Sequence, residues 1–222
     1  MSHLKMDFAN EAIAAGVAAN ASRFTLRCVN NSASNWIFYV YQRMPGQPYD
    51  VFSLAWLASP YPLYPGSMMT FTWTLDTSFV WGSTGMLTPG VLFMTSGMQP
   101  CDANSRNMTI FNMNDNMPNF SPPTNDGRPG ALSIMTTGTI PSGVFSTGIG
   151  MSGQAAFAQQ ARANVHQEFN ASAPQYWIAA GRQLQAGTVL SDDNGIAAPF
   201  AFQGTDSLTA TLNMDNTWTI GR

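Results

Sequence analysis

Charge is what this sequence has least of: 9% of its residues are Asp, Glu, Lys or Arg, where about 25% is ordinary for a globular domain. Lys5 is the only lysine, Glu11 and Glu168 the only glutamates, His3 and His166 the only histidines. With a net charge of −3 and no basic cluster, the chain lacks the footprint of a nucleic-acid partner and any patch for anionic lipid. So few titratable groups also leave no Ser, His and acid set at any suggestive spacing. Paired carboxylates for sugar hydrolysis are equally short. No catalytic residue, metal ligand set or cofactor site is expected, and the reading is that of a non-enzyme.

Long apolar runs are missing too: none approaches the roughly 18 residues that a bilayer-crossing helix requires. The N-terminal stretch carries Asp7 and Glu11, and its apolar part from Ala12 to Ala19 follows no properly basic region. A cleavable secretory leader is therefore not expected, and the chain is read as cytoplasmic or exported by another route. Cys28 and Cys101 are the only cysteines. They allow one disulfide at most, and free buried thiols are favoured over it for a leaderless chain in a reducing compartment.

What the sequence does have is aromatic residues in an alternating setting. From Phe52 to Phe93 the chain holds Trp56, Trp73 and Trp81, and Phe71, Trp73 and Leu75 alternate with Thr70, Thr72, Thr74 and Asp76. A period of two gives one face to a core and one to water. Each tryptophan can bury well over about 100 Å², so the three together would dominate any core they share.

Taken in order, residues 1–22 read as an N-terminal arm or short helix, since Asp7 to Ala19 is Ala-rich with acid in its first half. Arg23 to Val29 and Trp36 to Gln42 are strand-like and flank Asn30-Asn31-Ser32, which predicts a hairpin. Pro45-Gly46, Pro60, Pro62 and Pro65-Gly66 break the pattern between later strands. The polar, Met-rich and Asn-rich stretch near 99–130 reads as a long loop region, irregular apart from Met108 to Phe111. For residues 154–163 helix propensity competes with a β context, and strand is preferred. Met214 to Asn216 is a turn in a closing hairpin. The predicted fold class is all-β, an antiparallel, jelly-roll-like β-sandwich in a single domain over 23–222. No internal repeat is visible.

Several motifs have plain structural readings. Gly148-Ile149-Gly150-Met151-Ser152-Gly153 matches the dinucleotide-binding glycine pattern, but no buried parallel strand, genuine helix and well-placed acid accompany it, so a turn or bulge is preferred. His166-Gln167-Glu168 lacks the downstream cysteine pair that a zinc deaminase needs. Asn112, Asn114 and Asn116 are spaced like calcium ligands yet neutral, and Asp192-Asp193-Asn194-Gly195 reads first as a turn. Trp36, Tyr39, Tyr41, Tyr61 and Tyr64 form a candidate ligand or self-association surface, set against core packing as the commoner use of such residues.

Several phrases in order resemble one family: F-T-L-R-C-V-N-N-S (Phe24 to Ser32), V-Y-Q (Val40 to Gln42), S-L-A-W (Ser53 to Trp56), F-T-W-T-L-D-T-S-F-V-W (Phe71 to Trp81), G-M-L-T-P-G-V (Gly85 to Val91) and G-I-G-M-S-G (Gly148 to Gly153). They are similar to the RhiA family of bacterial rhizosphere-expressed proteins. The resemblance implies abundant, cell-density-controlled expression in bacteria living on plants, and it brings no catalytic motif. Low surface charge suits ordered self-association. The leading expectation is a β-sandwich that forms a homo-oligomer, filament, inclusion or surface structure. The alternative is a module binding glycans or lipid headgroups through exposed Trp and Tyr.

Overall fold

The computed structural model describes residues 23–170, 174–191 and 195–222. The N-terminal arm and Asp192 to Asn194 lie outside them. Strands and connecting turns account for the described residues, with no helix among them. The first strands are β1 (Phe24–Asn30), β2 (Ile37–Arg43), β3 (Val51–Ser53), β4 (Leu57–Ala58), β5 (Met68–Trp73) and β6 (Thr77–Ser83). There follow β7 (Gly97–Cys101), β8 (Met108–Asn114), β9 (Met117–Phe120), β10 (Ala131–Thr136), β11 (Phe145–Met151) and β12 (Gln154–Gln160). The last are β13 (His166–Asn170), β14 (Gln175–Gly181), β15 (Ile196–Phe200), β16 (Ser207–Leu212) and β17 (Trp218–Gly221). They form four sheets, ordered β17-β16-β1-β5, β13-β10-β8-β9, β3-β12-β11-β6-β7 and β15-β14-β2-β4.

The pairing is mostly antiparallel, but not wholly: β1 lies parallel to β16, and β10 parallel to β8. These two exceptions belong to a repeat that the sequence conceals. Each pairing of β1 or β2 recurs around β10 or β11. The β1/β5 pair returns as β10/β13, β1/β16 as β10/β8, β2/β14 as β11/β6 and β2/β4 as β11/β12. The β6/β7 and β8/β9 hairpins return as β14/β15 and β16/β17. Only β3 has no counterpart. Every sheet mixes strands of both halves, so the halves are interleaved and cannot separate. The loops after β6 and β14, equivalents in this scheme, pair with each other: the Val189 N–H donates to the Val91 carbonyl at 2.8 Å and Gly90 N–H to the Val189 carbonyl at 2.9 Å.

One core cluster draws on all four sheets, with Leu26, Phe38, Phe79, Phe111, Leu132 and Ile178 among its fully buried members. On β5 the predicted alternation is present: Phe71 and Trp73 are buried while Thr70 and Thr72 are exposed. The strand stops at Trp73, leaving Leu75 outside it and exposed. Gln154–Gln160 is a strand, as preferred over helix. The predicted β1/β2 hairpin is absent. The Asn30 amide donates to the carbonyls of Ser34 and Leu63, both at 2.8 Å, and its oxygen accepts from Ser32. That local network turns the chain into another sheet instead of back along β1.

The excepted Met108 to Phe111 opens β8, but the stretch near 99–130 departs from the loop reading beyond it, since it also holds the end of β7, the rest of β8 and all of β9. On β8 Thr109 and Phe111 are buried while Met108, Ile110 and Asn112 are not, and a polar Thr inside with an apolar Ile outside hides the period. Asp115 and Asn116, both at positive φ, form the two-residue turn between β8 and β9, as turn chemistry demands. The glycine motif is likewise structural. Register shifts between Ile149 and Gly150, and Ser152-Gly153 turns β11 into β12. Gly148 lies between β6 and β12, where an added Cβ would collide with the Phe157 carbonyl oxygen. Because that atom is sheet backbone and cannot yield, Gly148→Ala should cost about 3 kcal/mol or more. The urea midpoint should fall with little change in slope; a variant as stable as its parent would refute the close approach.

Candidate functional site

A cavity of about 630 Å³ opens where β2 ends. Arg43 closes β2, the Met44 to Tyr49 loop and Phe52 of β3 form one wall, and Pro89, Leu190 and Ser191 the other. The Arg43 guanidinium carbon sits 5.0 Å from the Trp177 ring centre and 5.7 Å from that of Tyr41. Such cation–π contacts hold the planar group against a fixed aromatic floor. Among the described residues, Arg43 is the one formally charged side chain lining the space.

The loop is held by its own amide. Gln47 accepts from the Met44 N–H at 3.1 Å and donates to the Val51 carbonyl at 2.8 Å. Val51 N–H donates to the Pro48 carbonyl at 3.1 Å, and Gln159 donates to the Asp50 carboxylate at 2.6 Å. Tyr49, at the tip, is 96% exposed. A pinned loop thus carries an outward aromatic ring beside a half-apolar hollow. No group of three or more His, Cys, Asp or Glu comes together among the described residues.

The aromatic surface expected from sequence divides in two. Tyr39 and Tyr41 are buried, 3% and 1% exposed, which removes them from any platform. They fail because β2 is an inner strand covered on both faces: Phe38 and Val40 face the main core, while the tyrosines pack with Ala55, Ala179 and Leu190. The Tyr39 phenol is accordingly pushed up, first by burial and then by Tyr41 beside it. Trp36, Tyr61 and Tyr64 do come together. Trp36 exchanges backbone hydrogen bonds with Leu63, and Tyr61 and Tyr64, either side of Leu63, are 66% and 63% exposed. The half-buried Trp36 ring donates through Nε1 to Ser32 Oγ at 3.0 Å and lies under Arg182 at 5.2 Å. Tyr49 and Arg43 escaped notice in the sequence, whose only local signal there is the turn chemistry of Pro45-Gly46 and Pro48.

Cys28 and Cys101 are both buried free thiols. Burial pushes the Cys101 thiol up to about 12 and that of Cys28 further still. Since the thiolate is the reactive form, native protein at pH 8 should resist labelling by a disulfide reagent such as DTNB, and unfolding in guanidinium should release both thiols. Rapid labelling of folded protein would contradict this burial.

The RhiA family pattern matches residues 21–222, which span every strand from β1 to β17. The chain belongs to the RhiA family. Protein RhiA of Rhizobium leguminosarum bv. viciae is 41% identical over 204 residues, covering 91% of this chain and 87% of that protein. No solved structure matches. The cavity, the Trp36/Tyr61/Tyr64 cluster and all four sheets therefore lie inside the part of the chain that defines it as RhiA-like.

Proposed function

We propose that this RhiA-family chain is a non-enzymatic protein that self-associates, with its sheets stacked as a jelly-roll-like sandwich and its copies joined through strand edges. The stacked reading is supported by the single core to which all four sheets contribute. The self-association reading is carried by the sheet β17-β16-β1-β5. An edge strand offers unpaired N–H and C=O groups to any other chain, and proteins commonly blunt such edges with charge or proline. Here the edge strands read M-M-T-F-T-W on β5 and W-T-I-G on β17, with neither.

The equivalent sheet is treated differently. Its edge β13 carries Glu168, ion-paired with Arg128 at 2.8 Å, and its edge β9 carries Pro118. Of the two equivalent sheets, one is blunted at its edges and the other left open. A contact of β5 on one copy with β17 on the next is heterologous, and such contacts propagate into filaments unless the rotation closes a ring. Few charges oppose the approach of copies. Sedimentation velocity and electron microscopy should show species that grow with protein concentration and respond weakly to salt. Monomer alone at high concentration would overturn the reading.

A second reading, binding of glycans or lipid headgroups, is favoured by Tyr61 and Tyr64 standing exposed beside Trp36. Liposome co-sedimentation and a glycan array test it, and silence in both would dismiss that cluster as a ligand surface.

A further inference from the structure

The interleaved repeat supplies a control for the cavity. Where the first half has the Met44 to Asp50 loop and β3 after its β2, the second half has only the Ser152-Gly153 turn between β11 and β12. β3 itself is added to the side of β12. The wall of the hollow is thus built from the segment that breaks the two-fold pattern, and the repeat would close without it. That inserted loop is fastened by Gln47 to Met44 and Val51, and by Asp50 to Gln159. The fastening holds the core residues Met44 and Val51 in place and fixes the backbone that carries Tyr49, whose side chain is 96% exposed. A loop already held in one conformation loses less entropy when a partner binds to it.

We infer that this hollow is a carbohydrate site, in which a neutral pyranose ring lies against Tyr49 and its hydroxyls meet Arg43 and the polar groups of the Ser191 wall. The volume, about 630 Å³, falls in the range of small-molecule sites, roughly 300–1,000 Å³. Its lining is half apolar, with Met44, Pro48, Phe52, Pro89 and Leu190, as the two-sided surface of a sugar requires. An anion is disfavoured because Arg43, the one cation among the described lining residues, already rests on the Trp177 and Tyr41 rings. This inference rests on neither the open sheet edges nor the Tyr61/Tyr64 cluster.

Calorimetric titration and saturation-transfer NMR on the full chain, with maltotriose, cellotriose and trigalacturonic acid as probes, test it. At least one neutral trisaccharide should bind, and the acidic one should bind more weakly. Tyr49→Ala, which removes no packed side chain, should weaken binding about tenfold, equivalent to roughly 1.4 kcal/mol. Tyr61→Ala with Tyr64→Ala should leave it unchanged. The inference fails if no trisaccharide binds at millimolar concentration, if the acidic probe binds best, or if binding survives Tyr49→Ala and is lost with the other pair. None of these outcomes depends on whether copies assemble, since saturation transfer reads monomers and large particles alike.

Discussion

Thr70→Lys combined with Thr72→Lys should keep the chain monomeric at concentrations where the unsubstituted protein sediments as larger species. Both threonines are exposed on β5, the outer strand of the sheet β17-β16-β1-β5, so their replacement removes no buried contact. Each lysine brings an ammonium group that must stay hydrated, and a second chain laid along β5 would strip that hydration or leave the charge facing its own backbone. Helped by a surface with few acids to pair with, the two charges should weaken association by at least about tenfold each. Thermal unfolding should move little, because β-sheet surface changes of this kind are worth within about 1 kcal/mol. Sedimentation of the double variant as the same large species would show that copies meet elsewhere. A paired control on the blunted sheet sharpens the test: changes at Met117 of β9, also exposed on an edge, should leave association as it was.

Much of the fold was legible because the physics acting on it is local. Thr70, Phe71, Thr72 and Trp73 alternate across one strand, and the alternation alone places two aromatics inside. The closing turn at Met214 to Asn216 and its β16/β17 hairpin were read from turn chemistry. What stayed hidden depends on partners distant in sequence. The repeat is hidden in part because polar residues take buried places in its strands, as Gln167 does on β13. Gln167 can take an apolar place only because Thr147 and the Gln160 carbonyl satisfy its amide. A buried polar group that is fully paired costs little, yet it erases the pattern that would reveal kinship.

The candidate site was less legible for the same reason in reverse. Tyr39 and Tyr41 alternate with Phe38 and Val40 in a strand that is covered on both faces, so every residue from Ile37 to Gln42 is buried. Composition could not tell an inner strand from a half-exposed one. Tyr49 gave no signal, because its exposure follows from how Gln47 and Asp50 tie the loop, not from any periodicity. Sites made by the departures from a repeat can be seen only once the repeat is known.

Trp56→Ala should be the most damaging single change in the chain. Trp56 is fully buried between β3 and β4, where it belongs to no strand yet touches three sheets. Its ring meets Trp73 of β5 edge-on at 5.4 Å and stacks on Tyr176 of β14 at 6.2 Å, while Nε1 donates to the Met151 carbonyl of β11 at 2.8 Å. Truncating a buried tryptophan costs about 3–5 kcal/mol through lost transfer energy and an unfilled cavity. Leaving the Met151 carbonyl without its donor adds about 1–3 kcal/mol. Against a typical total of about 5–15 kcal/mol, that sum would leave much of the protein unfolded at ambient temperature. Trp56→Phe separates the two parts, since it keeps most of the ring and loses the donor; it should cost only the smaller amount. Trp177→Phe is the matching control, because the Trp177 Nε1 has no hydrogen-bond partner to lose. If Trp56→Ala and Trp177→Phe shifted the urea midpoint equally, the joint among the three sheets would not lie at Trp56.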